Sequence, residues 1–227
     1  KVLAGIREAS LATLSDVSST GPAGRSKVEE KSIKTVREDA RSSLLPLKQS
    51  HMNTLATAVS SLPVEGPLVE VAQDLAKVKC SLNWRRDNGE FYLERSELGE
   101  AYINGNLHSL LIGPRGCEYY HADFTLGIFI LKPFTLYRDH CHPAPELYVN
   151  LSERTGWRLN DGDWQDYSAS SILWNDPWVP HATRVYDKPF IAIFSWLQDV
   201  HLPCELVPRD DWASIEVDLA QKSARSI

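Results

Sequence analysis

Residues 137–148 read Tyr137-Arg-Asp-His140-Cys-His142-Pro-Ala-Pro-Glu146-Leu-Tyr148, the most informative segment of this 227-residue chain. Among its side chains are two imidazoles, the Glu146 carboxylate and two phenols. Side chains alternate between the two faces of a β-strand, so His140 and His142 point to the same side, and Glu146 and Tyr148 keep that parity beyond the prolines. The spacing therefore predicts that four polar groups converge.

A third histidine is expected to join this group. Two histidines and one carboxylate leave open coordination positions, as at a catalytic transition-metal centre. His181 is the candidate, because turn-forming residues precede it and a return strand would carry it back beside the first pair. We read hairpin turns at Gly156, Asp161, Gly162 and Asp163. The predicted ligand set is His140, His142, Glu146 and His181.

The pattern His-x-His-x3-Glu, followed by a later single histidine, resembles the two metal-binding motifs of the cupin superfamily. Phe134 stands where a glycine opens the first motif, and the second motif reads Pro177-Trp-Val-Pro180 in place of Pro-x-Gly. The longer string Tyr-x2-His-x-His-x3-Glu-x-Tyr, behind a helical N-terminal region, resembles the cupin-type dimethylsulfoniopropionate (DMSP) lyases of marine bacteria. The resemblance implies a mainly β fold, a cupin β-barrel (double-stranded β-helix) with an N-terminal α-helical extension.

The same resemblance implies a carbon-sulfur lyase that converts DMSP to dimethyl sulfide and acrylate by β-elimination. Tyr148 matches the position of the family's base, and Tyr137 is expected to bind the substrate carboxylate or the metal. The cofactor is expected to be one divalent transition metal ion, foremost Fe(II), Zn(II) or Mn(II), because imidazole and carboxylate ligands suit these ions.

The zwitterionic substrate carries a sulfonium group, which is a cation without hydrogen-bond donors. Aromatic faces attract such cations, so tryptophans and tyrosines near the barrel interior are the expected binding residues. Trp178 and Trp196 are the first candidates, followed by Tyr120 and Trp174. The other histidines are expected to be structural, although His121 is placed to support the site through a hydrogen bond to a ligand.

Composition narrows the range of partners. The net charge of −6 and the pI near 5.7 argue against a nucleic-acid surface, which needs clustered lysine and arginine. No apolar run approaches the length that spans a bilayer, so no membrane partner is expected and the cytoplasm is the predicted location. The four cysteines are scattered, which predicts free thiols, with Cys141 facing away from the metal. A homodimer is left open.

Hydrophobic periodicity divides the chain into a helical region at residues 1–82 and a metal-binding barrel at residues 83–227. Apolar residues at the helical period predict three helices, from Lys27 to Pro46, from Ser50 to Ser61 and from Pro67 to Cys80. A terminal helix is predicted from Asp210. Short strands are predicted for Tyr102 to Ile112, Tyr119 to Leu131, Leu147 to Leu151, Gly156 to Leu159, Ser171 to Trp174 and Phe190 to Leu197.

Two other functions use the same ligands. Another metal-dependent cupin enzyme, such as an Fe(II) dioxygenase or an isomerase, would keep the four ligands without needing a tyrosine base. A non-catalytic cupin ligand-binding module would not need the complete ligand set. The two tyrosines that bracket the ligands favour the lyase.

Overall fold

The structure is a computed structural model, and it describes residues 47–62, 65–66, 68–114 and 117–226. Four helices are found in these ranges: α1 (Gln49–Ser60), α2 (Val69–Val78), α3 (Glu100–Gly105) and α4 (Trp212–Arg225). Three of them, α1, α2 and α4, lie where the sequence predicts helices. The helix predicted from Lys27 to Pro46 lies outside the described residues. None of the helices in the described ranges is long and apolar enough to cross a membrane.

The remaining regular structure consists of twelve short strands. They are β1 (Trp84–Arg85), β2 (Asn106–Gly113), β3 (Tyr119–Tyr120), β4 (Thr125–Leu131), β5 (Leu136–Cys141), β6 (Glu146–Asn150), β7 (Arg154–Leu159), β8 (Gln165–Ser168), β9 (Ile172–Asn175), β10 (His181–Val185), β11 (Phe190–Trp196) and β12 (Glu205–Leu206).

Three local predictions differ from the structure. The segment from Tyr102 begins as α3 and becomes a strand only at Asn106, because the Asn106 side chain donates to the Tyr102 carbonyl and ends the helix. The predicted strand from Tyr119 is interrupted by a turn, in which His121 Nδ1 accepts from the Asp123 N–H at 3.1 Å. Gly156 lies within β7 rather than in a turn.

The strands form two sheets in which all but one pair are antiparallel. The larger sheet has the order β1-β2-β4-β11-β6-β9, with β3 paired to β2 in parallel, and the smaller has the order β12-β5-β10-β7-β8. In the smaller sheet β10 pairs with β5, and His181 lies directly opposite His140. This pairing is the return strand that the turn residues predict.

Two hydrophobic clusters explain how the sheets are arranged. One cluster combines α1 and α2 with side chains of the larger sheet, such as Leu107, Ile128 and Ile193, so the helices cover its outer face. The other cluster takes side chains from both sheets and is rich in aromatic residues, so it fills the space between them. The mainly β double-stranded β-helix is confirmed, whereas the boundary at residue 82 stays a prediction.

The C-terminal helix α4 is attached to the smaller sheet by ion pairs. Arg138 on β5 contacts Glu216 at 2.8 Å. The fully buried carboxylate of Asp139 accepts hydrogen bonds from Arg158 on β7 at 2.9 and 2.5 Å and from the Trp212 indole at 2.8 Å. The contacts of Glu216 and Trp212 hold α4 against β5, the strand that carries the first part of the Tyr137–Tyr148 segment.

Candidate metal and substrate site

The Tyr137–Tyr148 segment crosses from one sheet to the other. Tyr137 and His140 lie on β5, His142 follows that strand directly, and Glu146 and Tyr148 lie on β6 of the larger sheet. The two sheets face the same interior, so the residues before and after the prolines meet there. The residues of the motif therefore form a compact site between the two sheets.

The three histidines share one arrangement. His140 Nδ1 lies 2.8 Å from the Arg138 carbonyl, His142 Nδ1 lies 2.8 Å from the Ala144 carbonyl, and His181 Nδ1 lies 3.1 Å from a backbone carbonyl. A carbonyl only accepts, so each Nδ1 carries the proton and donates, which leaves the lone pair on each Nε2. One ligand atom from each ring lies within 4.8 Å of the others, and all three rings are buried. This is the tautomer and orientation that metal-bound histidines adopt.

Glu146 lies against two of the three histidines, and its contacts with them indicate a site for a cation. Its Oε2 lies 3.2 Å from His142 Nε2 and 3.1 Å from His181 Nε2. Because Nδ1 carries the proton in both rings, each contact places an Nε2 lone pair against a carboxylate oxygen, and both atoms are hydrogen-bond acceptors. Such a contact is favourable only when a positive charge lies between the two atoms. His181 Nε2 has no hydrogen-bond partner among the described residues. A proton or a metal ion meets that need. The donor set, imidazole and carboxylate, suits a divalent transition metal.

Two further side chains orient the Glu146 carboxylate. The Trp196 indole donates to Oε1 at 2.8 Å, and the Asn175 amide donates to Oε2 at 3.1 Å. Burial tends to raise the pKa of Glu146, but His142 and His181 outweigh it and hold that pKa well below its usual range. The carboxylate is therefore ionised and held in one orientation.

Tyr148 lines the cavity beside this group, with its ring centroid 5.0 Å from that of Trp157. Burial, followed by the negative charge of Glu146, raises the pKa of Tyr148 well above its ordinary value. Without an added cation the side chain stays a phenol. A base at this position consequently depends on positive charge nearby.

Tyr137 belongs to a cluster of buried tyrosines. Its hydroxyl lies 2.5 Å from the hydroxyl of Tyr92. Its ring stacks on the ring of Tyr102, with the centroids 4.5 Å apart, and its centroid lies 4.2 Å from that of the His140 ring. Tyr102 in turn donates to the fully buried Asp87 at 2.8 Å. Burial is the main cause that raises the pKa of Tyr137 well above its ordinary value.

The backbone explains how Phe134 replaces a glycine. Its φ of 58° lies in the left-handed region that glycine adopts without strain, and its N–H donates to the Tyr186 carbonyl at 2.8 Å. Trp178, in the second motif, has a φ of 63° and donates to the His142 carbonyl at 2.8 Å. Both motifs thus keep turns typical of glycine with bulky residues in them.

A cavity of about 350 Å³ opens at this group. It is lined by Arg85, Glu90, Phe91, Tyr102, His108, Leu110, Pro114, Thr125, Phe129, Tyr137, His140, Glu146, Tyr148, Phe194, Trp196, Val200, His201, Leu202, Pro203 and Cys204. Its wall is largely aromatic, and the polar groups are few, as in small-molecule sites. A compact ligand would contact Tyr137, Tyr148 and the metal-binding group from this space.

The predicted substrate residues separate into two groups. Trp196 lines the cavity, whereas Trp178 and Tyr120 are 51% and 43% exposed and are not among its lining residues. Trp178 lies in the turn before β10, and Tyr120 lies on the short strand β3, so neither side chain enters the space between the sheets. Trp174 is also exposed. The structure does not bring these three side chains to the site.

Sequence reasoning missed several cavity and support residues. Asn175 contacts Glu146 from β9, and Tyr92 and Tyr102 lie against Tyr137. Trp196 was predicted to face the sulfonium group, but its hydrogen bond to Glu146 was not predicted. His108 and His201 line the cavity although no role is predicted for them. Cys141 is buried and is not among the lining residues, and none of the four cysteines forms a disulfide.

Comparisons with known proteins agree with this geometry. A sequence model described as DMSP lyase matches residues 25–192. The DMSP lyase DddQ of Ruegeria pomeroyi is 28% identical over 106 residues, and the alignment spans 46% of this chain and about half, 52%, of the relative.

Solved structures with the same fold include that of DddQ from Ruegeria pomeroyi, with a TM-score of 0.65 and 19% identity over 91% of this chain and 96% of the other. A structure described with the DMSP lyases RdDddP and RnDddQII has a TM-score of 0.67 and 15% identity over 91% and 98%. At these identities the structural matches show the fold alone. Because the family model covers most of the sequence, the chain belongs to the DMSP lyase family.

Proposed function

We propose that this protein is a lyase that converts DMSP to dimethyl sulfide and acrylate. The observation that carries the proposal is that a cluster of three buried histidines, with Glu146, adjoins an aromatic cavity that two buried tyrosines line. A family match over residues 25–192 supports the choice of substrate. The relatives' names state that they are DMSP lyases, and we extend that activity to this chain.

His140, His142, His181 and Glu146 would hold one divalent transition metal ion, with Fe(II), Zn(II) and Mn(II) as the foremost candidates. When bound, such an ion supplies a Lewis acid that stabilises negative charge on the substrate carboxylate. The protein supplies the geometry: backbone carbonyls fix the three rings, and Trp196 fixes the carboxylate.

Tyr148 is proposed as the base. Its phenolate oxygen takes a proton from the carbon next to the carboxylate, the electron pair of that C–H bond forms the carbon–carbon double bond, and the bond from the β carbon to sulfur breaks. Sulfur leaves with the bonding pair as neutral dimethyl sulfide, and acrylate remains. Burial alone disfavours the phenolate, so positive charge at the histidine group is required for Tyr148 to act.

The other cavity residues would orient the substrate. Tyr137 is placed to contact the carboxylate, because its hydroxyl is positioned by Tyr92 and its ring lies beside His140. The rings of Phe129, Phe194 and Trp196 line the same cavity, and the faces of such rings attract a sulfonium cation. This arrangement would separate the two charges of the substrate between a polar end and an aromatic wall.

Headspace gas chromatography for dimethyl sulfide tests the proposal. The full chain is supplied with DMSP after chelator treatment, and then with Fe(II), Mn(II) or Zn(II) restored. We expect release that depends on metal and is lost in Tyr148→Phe while metal content is kept, because the change removes a base and no proposed ligand.

Tyr167→Phe is the matched control, since Tyr167 is outside the lining residues and its hydroxyl donates to Gln165 at 3.1 Å. It should retain the wild-type rate. Substantial release by Tyr148→Phe would remove Tyr148 as the base. No release with any metal, although metal is bound, would argue for a different cupin reaction and for measuring oxygen uptake.

A further inference from the structure

Arg85 and His108 form a polar pair in the cavity wall. They are directly opposite each other where β1 pairs with β2, and both line the cavity. Opposite residues of an antiparallel pair project to the same face, with Cβ atoms about 5 Å apart. One cation and one imidazole are therefore presented side by side to the interior.

Both side chains have unmet hydrogen-bonding capacity. Arg85 Nε and His108 Nδ1 are buried without a hydrogen-bond partner among the described residues. His108 is only 7% exposed, and its ring stacks on Phe129 at 4.4 Å, so it is fixed among apolar groups. Buried polar groups without partners carry a cost, which a ligand with acceptor atoms would relieve.

No carboxylate among the described residues forms an ion pair with Arg85. It is the one lysine or arginine among the described residues that line the cavity. Of the two lining carboxylates, Glu146 is engaged by histidines and Trp196, and the exposed Glu90 makes no ion pair with Arg85 within 4.0 Å. Burial and then the charge of Arg85 lower the pKa of His108 to about 3, so the imidazole is neutral near pH 7.

We infer that Arg85 and His108 form a subsite for the carboxylate of a short organic acid, separate from the metal-binding group. The guanidinium supplies the charge and a planar set of donors that matches a carboxylate, and the neutral imidazole supplies one further N–H. The aromatic wall and the volume of about 350 Å³ favour a small acid with an apolar tail over a large or polar one.

A chain of aromatic contacts runs from Arg85 to His142 along the wall of the cavity. Arg85 Cζ lies 5.9 Å from the Phe91 ring, Phe91 lies 6.1 Å from Trp196, and Trp196 lies 4.7 Å from His142. Because Arg85 supplies its own positive charge, carboxylate binding there needs no metal and no turnover. The inference goes beyond the elimination reaction and is tested independently of it.

Ligand-observed NMR titration of propionate against the metal-free full chain is the test, with propionamide as the uncharged analogue. Arg85→Gln should weaken propionate binding at least about tenfold, the size expected for losing a hydrogen bond between charged groups. Arg86→Gln is the matched control, because it removes the neighbouring positive charge from a residue outside the cavity lining. It should bind propionate as the wild type does.

His108→Phe provides a second variant that keeps a planar ring beside Phe129. It should weaken propionate binding several-fold without changing the weak binding of propionamide. The inference is overturned if the wild type binds propionamide as tightly as propionate, if binding appears only after metal is added, or if Arg85→Gln binds propionate with wild-type affinity. Each variant is first compared with the wild type by thermal unfolding.

Discussion

Trp196→Phe tests whether the interior of the larger sheet holds the Glu146 carboxylate in place. The substitution keeps an aromatic ring on β11 and removes the indole N–H that donates to Glu146 Oε1 at 2.8 Å. Glu146 is only 2% exposed, so water does not readily replace the lost donor. Asn175 still donates to the other carboxylate oxygen at 3.1 Å, which limits the damage to one oxygen.

The magnitude follows from the type of bond. A hydrogen bond to a charged group contributes about 1.5–3 kcal/mol, so the metal-free protein should lose at least that order of unfolding free energy. The bond exists before metal binds, and the metal affinity changes only through poorer orientation of Glu146. Loss of such a supporting contact typically weakens metal affinity about 10- to 100-fold.

Urea unfolding of the metal-free protein and a competitive chelator titration measure the two effects. Trp174→Phe is the matched control, because its indole N–H donates to Asp176 on the surface and its side chain is 38% exposed. It should change the unfolding free energy by less than about 0.5 kcal/mol and leave metal affinity unchanged. If Trp196→Phe matches this control in both measurements, the Trp196 indole does not support Glu146.

Two further predictions concern the attachment of α4. Asp139→Ala should lower the unfolding free energy by about 3 kcal/mol, which is the lower end of the range for breaking a buried ion pair. The lower end applies because Arg158 keeps Asp211 as a partner. Chemical denaturation measures this change, and a loss below about 1 kcal/mol would contradict the prediction. The hydrogen bond from Arg158 is the main cause that lowers the pKa of Asp211. Ionised Asp211 therefore contributes to the unfolding free energy at pH values above its unfolded pKa, near 3.8, and this contribution is lost as the pH falls through the lower pKa of the folded state. The stability difference between wild type and Asp211→Asn should therefore be largest above about pH 4 and shrink as the pH falls below that value. A difference that is constant with pH would refute the assignment.

Much of the fold could be predicted from local patterns in the sequence. The apolar stripes of α1 and α2 follow the helical period, and most strands alternate or run as short apolar segments between turn residues. Where side-chain hydrogen bonds compete with these patterns, prediction failed. Asn106 ends a helix that periodicity reads as strand, and His121 supports a turn inside an apparent single strand.

The group of candidate metal ligands could be predicted in part for a similar reason. His140, His142, Glu146 and Tyr148 are close in sequence, and strand alternation gives each a side of the chain before any tertiary contact is known. The surrounding aromatic residues were harder to predict, since any buried tryptophan satisfies the same hydrophobic pattern. Trp196 and Trp178 look equivalent in sequence, yet one lines the cavity and the other is on the surface.

The sequence by itself determined helices α1, α2 and α4, most of the longer strands and the cluster of candidate ligands, because these depend on neighbours within a few residues. Only the tertiary structure decided which distant groups join them. The pairing of β10 with β5 sets His181 against His140, and the pairing of β1 with β2 sets Arg85 against His108. Such contacts depend on strand register and on how the two sheets close around the interior. Neither of these can be inferred from the residues next to one another in the sequence.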